Sequence, residues 1–184
     1  MTLAQLFNEG KYGLTVRSVN ELIEKLTTIN WYSNVGEFSP DIEGKLAQFM
    51  SAIGVHDYEI KWITKEQVPE TIKTLSFEGS ALWEVLKEVP DQLKTRIERL
   101  GNEQLLNELV DRVPEAVFHS AYNQAFLTFI DQDVISFLVG HAMYISILAC
   151  TAELAGDNSM SFIVELLEEG HLPLGPKGNT FYLL

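Results

Sequence analysis

The feature that most constrains the fold is a run of nineteen residues without a charge, VISFLVGHAMYISILACTA, from Val134 to Ala152. A run of this length is at the lower end of what a membrane-spanning helix needs. His141 falls near its centre, where a polar group would be costly in lipid. The charged residues that flank the run, among them Asp131 and Glu153, are acidic, so no basic residue fixes an orientation across a bilayer. We therefore expect a helix that is buried by other helices of a soluble fold, outside any membrane.

The segment before this run supplies a partner helix. Its residues are apolar around much of the helical circumference, and the short polar link Asp131–Asp133 is suited to joining antiparallel neighbours. The sequence therefore predicts two long helices, over about 115–130 and 133–155, that bury each other.

Shorter helices are predicted on both sides of this pair. Ser18 with Glu21, and Thr64 with Gln67, have the spacing of a capping box, in which a hydroxyl and a side chain three residues later bond the first turn of a helix. Ser39 precedes a proline and an apolar periodic stretch, a pattern that favours a helix start. We expect a helix to begin at each of these three points.

Two prolines and an asparagine set further expected boundaries. Pro90 interrupts an amphipathic stripe and predicts either a kink or two short helices. Asn102 is expected to cap the next helix. Pro114 is expected to end it, because proline lacks the N–H that continues a helical ladder.

Alternating apolar and charged residues over Tyr58–Ile63 predict a strand, and residues 171–184 predict a hairpin around a Pro-Lys-Gly-Asn turn. The expected fold is a single mainly helical (α+β) domain over residues 1–184. It is a multi-helix bundle around a buried antiparallel helix pair, with a small antiparallel sheet or C-terminal β-hairpin.

Charge and cysteine content narrow the function classes. The net charge is −13, and residues 113–184 contain eight acidic residues against one base, Lys177. Phosphate backbones and anionic lipid surfaces are bound mainly through Lys and Arg, so nucleic-acid and membrane partners are disfavoured. One cysteine, Cys150, allows no internal disulfide, and the first residues lack the basic and apolar regions of a signal peptide. We expect a cytoplasmic protein.

One group of polar side chains on the long helix pair is a candidate site. His119 and His141 are expected at similar heights, with Glu115 one turn from His119 and Tyr144 almost one turn beyond His141. Two imidazoles, a carboxylate and a phenol could hold a transition metal, whose identity stays open, or bind a polar ligand in a dry pocket. The alternative is that each bonds a neighbouring polar group within the core.

Familiar catalytic motifs are missing from the chain. There is no phosphate-binding glycine loop, no dinucleotide-binding glycine motif, no Cys-x-x-Cys, no His-Glu-x-x-His and no Gly-x-Ser-x-Gly. No cofactor is predicted, and an enzyme is disfavoured although distant acids could still meet on folding. The leading hypothesis is a non-enzymatic soluble helical protein that acts through protein–protein interaction, with another protein or by self-association. The alternative is a small-molecule or metal-binding bundle, conceivably an enzyme, with its site between helices 115–130 and 133–155.

Two aromatic or apolar segments leave alternatives open. Trp31, Tyr32 and Phe38 follow a helix end, where they would either anchor an interface or cover the core. The apolar ending TFYLL must pair in the sheet, pack on the bundle or lie between subunits.

Overall fold

The structure is a computed structural model that describes residues 13–75, 81–157 and 160–184. Most of these residues are helical. In these residues three strands form one small sheet, which confirms the mainly helical α+β class. The helices are α1 (Gly13–Thr27), α2 (Pro40–Ala52), α3 (Val68–Thr74), α4 (Ala81–Leu86), α5 (Val89–Leu100), α6 (Glu103–Thr128), α7 (Gln132–Leu154) and α8 (Ser161–Glu168). The strands are β1 (Glu59–Trp62), β2 (Pro173–Lys177) and β3 (Thr180–Leu183).

The two longest helices, α6 and α7, pack against each other as an antiparallel pair joined by the short link 129–131. Asp131 caps α7, since its carboxylate accepts hydrogen bonds from the backbone N–H groups of Asp133 (2.9 Å) and Val134 (3.3 Å). By length and by its mean hydropathy of 1.8, α7 could cross a membrane, and 56% of that apolar stretch is buried inside the protein. The core helix of a soluble protein has the same properties.

The predicted helix boundary at Pro114 is wrong. Pro114 lies inside α6, which runs without a break from Glu103 to Thr128. Proline leaves the carbonyl four residues earlier, that of Val110, without its helical partner. Val110 is 44% exposed, on a side of α6 that water reaches, whereas Val113 and Val117 are buried. Packing of the buried residues on either side of Pro114 therefore holds the helix together across this missing bond.

The helix start expected at Ser18 is wrong, whereas α6 does begin directly after Asn102 as expected. Ser18 lies within α1 and does not begin it, because the helix already includes Gly13. Asn102 does precede α6, but its side chain makes no capping hydrogen bond, and its Oδ1 is buried without a partner in the described part of the chain. A capping pattern in the sequence is therefore not sufficient to predict where a helix begins or whether a side chain caps it.

The signals at Ser39 and Pro90 are confirmed, whereas the helix expected at Thr64 begins four residues later, at Val68. Ser39 Oγ accepts a hydrogen bond from the N–H of Ile42 at the start of α2. Gln67 Oε1 accepts one from the backbone N–H of Thr64 (2.9 Å), just before α3. The stripe around Pro90 is divided into two helices, α4 and α5, with the proline in the first turn of α5.

The sheet has the order β1-β3-β2, and its predicted C-terminal hairpin, β2–β3, is confirmed. The expectation that β1 would also pair antiparallel is wrong: it runs parallel to β3, with Ile60 opposite Phe181. Alternation predicts a strand but not its direction, and more than a hundred residues separate these strands, so no tight turn fixes it. Phe181, Leu183 and Leu184 are buried, so the apolar ending packs within its own chain.

Candidate functional site

The structure brings together two of the four residues that were predicted to form a site. His141 and Tyr144 lie on α7 with their ring centroids 6.1 Å apart, and both line a cavity. Glu115 and His119 lie at exposed positions of α6 and are not among the described residues that line this cavity. The His119 ring instead contacts its neighbour Phe118, with the centroids 5.4 Å apart.

The cavity lies between α7, α8 and the β2–β3 hairpin and has a volume of about 180 Å³. None of the described residues that line it carries a formal charge, and its hydrogen-bonding side chains are His141 and Tyr144. It is lined by Phe49, Leu86, Val89, His141, Tyr144, Ile145, Leu148, Met160, Phe162, Ile163, Pro173, Leu174, Gly175, Pro176 and Phe181. An apolar cavity with a few convergent polar groups is the usual form of a small-molecule site.

His141 connects α7 to the first residue of β2. Its Nε2 lies 2.6 Å from the carbonyl oxygen of Pro173, and because a carbonyl can only accept, Nε2 carries the proton and donates. The ring of Phe137 stacks on the imidazole at 5.6 Å and an interplanar angle of 7°. Burial lowers the pKa of His141, and the bond to Pro173 opposes this only in part. The neutral ring therefore keeps Nδ1 as a hydrogen-bond acceptor.

Tyr144 supplies the second polar group of the cavity wall. Burial raises the pKa of its phenol, so the hydroxyl stays protonated at neutral pH and can donate as well as accept. The side chain is still 44% exposed, which places it where the cavity meets solvent. His141 and Tyr144 therefore present two uncharged hydrogen-bonding groups to a molecule that enters the cavity.

Metal binding and thiol chemistry find little support in the described residues. Nowhere within 13–75, 81–157 and 160–184 do three or more His, Cys, Asp or Glu side chains gather closely enough to hold a metal ion. Cys150 is fully buried, and this burial raises the pKa of its thiol to about 12. Because the thiolate is the reactive form, the Cys150 sulfur is inert at neutral pH.

A second candidate site is an apolar surface, called the α6 ridge below, formed by Phe118, Tyr122 and Phe126 on one face of α6 together with Leu127 near the end of the helix and Ile130 in the link after it. Four of these side chains are largely exposed: 42% for Phe118, 61% for Phe126, 80% for Leu127 and 102% for Ile130. Tyr122 stacks between Phe118 and Phe126, at centroid distances of 5.8 and 6.3 Å. Aromatic residues spaced four apart are neighbours on a helix surface, so they form one continuous strip.

Acidic residues lie at both ends of the α6 ridge. Asp111 and Glu115 are exposed before it, and Asp131 and Asp133 are exposed after it. The ridge itself contains no Asp, Glu, Lys or Arg, and no basic residue occurs anywhere in Val113–Pro176. The surface is therefore an uncharged apolar strip with negative ends.

Sequence reasoning did not single out this ridge. It noted that the helix is apolar around much of its circumference and assigned those residues to the contact with α7. The signal in the sequence was a second run of residues four apart, Phe118, Tyr122 and Phe126. This run lies beside the run that is buried in α6, which includes Val117 and Ala121.

The aromatic loop after α1 belongs mainly to the core. Trp31 and Tyr32 are buried, and Trp31 Nε1 donates a hydrogen bond to Ser120 Oγ on α6 at 3.0 Å. Phe38 is 61% exposed and packs edge-on against Trp62 of β1. Of the two alternatives for this loop, covering the core holds for Trp31 and Tyr32.

Comparisons with known proteins assign no family. No protein-family model, no curated protein and no solved structure matches the chain.

Proposed function

We propose that this protein is a non-enzymatic binding protein that recognises another protein through the α6 ridge. The observation that carries the proposal is the exposure of Phe126, Leu127 and Ile130, at 61%, 80% and 102%. Apolar side chains that cluster on a surface and are rimmed by polar residues mark interaction sites. A cytoplasmic location accompanies the proposal, because the chain's single cysteine is a buried thiol.

The geometry of the ridge suits an interface. From Phe118 to Phe126 its aromatic residues extend over about 12 Å at the rise of a helix. Stacking of Tyr122 between Phe118 and Phe126 holds the three rings in place before a partner arrives. Rigid aromatic side chains lose little conformational freedom on binding, which is why they dominate binding energy at interfaces.

The charges at the ends of the ridge favour a basic partner over a second copy of the chain. If two copies packed antiparallel around Tyr122, the acidic residues before the ridge of one copy would approach the acidic residues after the ridge of the other. A parallel pair would place Glu115 and Asp131 next to their own equivalents. Like charges across an interface oppose association, whereas Lys or Arg at the rim of a partner would favour it. The expected partner presents an apolar groove with basic residues at its ends.

A capture experiment with matched variants tests the proposal. The immobilised protein is incubated with extract from its source cells as the wild type, as the Leu127→Asn/Ile130→Asn variant and as the Phe38→Asn control, which changes an exposed aromatic residue outside the ridge. We expect one protein to be retained by the wild type and by the control, lost by the ridge variant, and released as salt is raised. Retention by all three proteins alike would refute the role of the ridge.

Sedimentation of the purified chain separates the two kinds of partner. We expect a monomer at micromolar concentration. A dimer that the Leu127→Asn/Ile130→Asn variant abolishes would keep the ridge as the interface and overturn the assignment of a basic partner.

A further inference from the structure

We propose that the cavity between α7, α8 and the β2–β3 hairpin binds an uncharged small molecule that has an apolar body and a hydroxyl group. This site is independent of the α6 ridge, because none of the ridge residues lines it. The proposal rests on the size of the cavity, its lack of charge and its two neutral polar side chains.

The volume fits a compact ligand. A dry cavity of about 150 Å³ lined by Leu, Ile and Phe is large enough to take up benzene, and this one measures about 180 Å³. Part of its wall is an aromatic pair, Phe49 on α2 and Phe162 on α8, stacked at 5.0 Å. Another part of the wall is fixed where His141 is hydrogen-bonded to Pro173. The space is therefore shaped before a ligand enters, and one ring or a short branched chain fills it.

The absence of charge among the described lining residues selects against ions. A carboxylate or an ammonium group would lose its hydration on entering and would find no opposite charge to replace it, which is a large cost. His141 does not supply a positive charge, because burial keeps its imidazole neutral. An uncharged ligand pays no such penalty.

The two polar side chains define the ligand's own polar group. His141 uses Nε2–H for the Pro173 carbonyl, which leaves Nδ1 able only to accept a hydrogen bond. The hydroxyl of Tyr144, whose ring lies 6.1 Å from that of His141, can donate. A hydroxyl group is both a donor and an acceptor, so it complements the pair, whereas a purely apolar ligand satisfies neither.

Four compounds built on one ring test the inference: benzyl alcohol, toluene, benzoate and benzylammonium. Each is titrated into isotopically labelled protein while backbone NMR signals are recorded. We expect benzyl alcohol to shift signals saturably around Ile145, Leu148 and Phe181, all of which line the cavity. The two ions should bind at least about tenfold more weakly, because their charge is buried unpaired.

Two variants locate the site and its polar contact. Leu148→Phe fills the cavity and should abolish the benzyl alcohol shifts. Tyr144→Phe removes only one hydroxyl from a side chain that is 44% exposed, so it should fold normally. It should weaken benzyl alcohol by about two- to tenfold and leave toluene unchanged. The Leu127→Asn/Ile130→Asn variant serves as a control and should bind like the wild type.

The inference is overturned if benzyl alcohol causes no saturable shift at millimolar concentration, if the shifts persist in Leu148→Phe, or if the ions bind as well as the alcohol. None of these results bears on protein binding by the α6 ridge, which the capture experiment tests separately.

Discussion

His141 shows how a single side chain can join two parts of this fold. It lies on the apolar helix α7, yet its hydrogen bond to the Pro173 carbonyl reaches the start of β2. That carbonyl would otherwise be a buried acceptor at the edge of the sheet, and a buried polar group without a partner is costly. The histidine therefore has a structural role that is compatible with the acceptor role of its Nδ1 in the cavity.

The stability of the protein should depend on the protonation of His141. Its pKa in the folded state is lowered from the ordinary value of 6.5 by burial. Below pH 6.5 the unfolded chain binds the proton more readily than the folded chain, so the free energy of unfolding falls as the pH drops towards the folded-state pKa. Urea denaturation at a series of pH values should show this fall, and His141→Gln should reduce its slope.

A slope that is the same in His141→Gln and in the wild type would show that His141 does not contribute. His171, whose pKa burial also lowers, accounts for part of the slope that remains.

Gly170 is a residue for which the backbone allows no substitution at low cost. Its φ is +78°, and an added Cβ would lie 2.0 Å from Ser33 Oγ and 3.1 Å from the backbone nitrogen of Asn34. Gly170→Ala should lower the free energy of unfolding by about 2–4 kcal/mol, since strain at positive φ is added to a clash. Gly54 has a φ of +80° and nothing within 4 Å of its added Cβ, so Gly54→Ala should cost only about 1 kcal/mol. Equal losses in the two variants, measured by urea denaturation, would rule out the clash.

Residue-scale features were the hardest to predict from the sequence. The sequence of the loop after α1 does not show whether its aromatic residues face the core or a partner, because aromatic residues are favoured in both locations. Tyr32 adopts a φ of +59°, a conformation that bulky residues rarely take, and its ring packs against Phe129 in the link between α6 and α7. Tertiary contacts of this kind leave no trace in local spacing.

At the scale of elements, α6 tolerates a proline that local rules assign to a boundary. Removal of this proline should stabilise the helix, because alanine restores the N–H that bonds the Val110 carbonyl and has the higher helix propensity. We expect Pro114→Ala to raise the free energy of unfolding by about 1–3 kcal/mol in urea denaturation. A decrease would mean that packing of the partly buried Pro114 ring stabilises the protein by more than the missing hydrogen bond destabilises it.

The elements that local chemistry specifies were predictable, and those that depend on distant packing were not. Ser39 bonds the start of its own helix, and Pro90 divides α4 from α5, so these signals could be recognised within a few residues. The continuity of α6 through Pro114 depends on burial against other helices. The parallel direction of β1 depends on a strand more than a hundred residues away.

For the candidate sites too, the part set by local spacing was predictable and the part that depends on distant packing was not. Helical spacing placed His141 and Tyr144 near each other, because they are three residues apart on one helix. Ile145 and Leu148 of α7 also line the cavity, and most of its other lining residues come from α2, α4, α5, α8 and the hairpin, which no spacing rule connects to α7. Glu115 and His119 were grouped with them by height along the helix pair, but equal height does not determine which side of α6 faces α7.

At the scale of the whole molecule, the two candidate sites differ in the charges around them, so we expect them to bind different kinds of partner. The cavity has no charge among its described lining residues and fits an uncharged ligand. The α6 ridge is uncharged along its length and acidic at its ends, as expected for a protein partner with a basic rim. A net charge of −13 also opposes the close approach of two copies of the chain.

The affinity of the captured partner for the Phe126→Asn variant, measured by calorimetry beside the wild type and Phe38→Asn, is the most direct test of the proposed function. Phe126 is 61% exposed and lies in the middle of the ridge. If the ridge is the binding surface, Phe126→Asn weakens the complex by about tenfold or more, and Phe38→Asn binds as the wild type does. An unchanged affinity for Phe126→Asn would contradict protein recognition by the ridge.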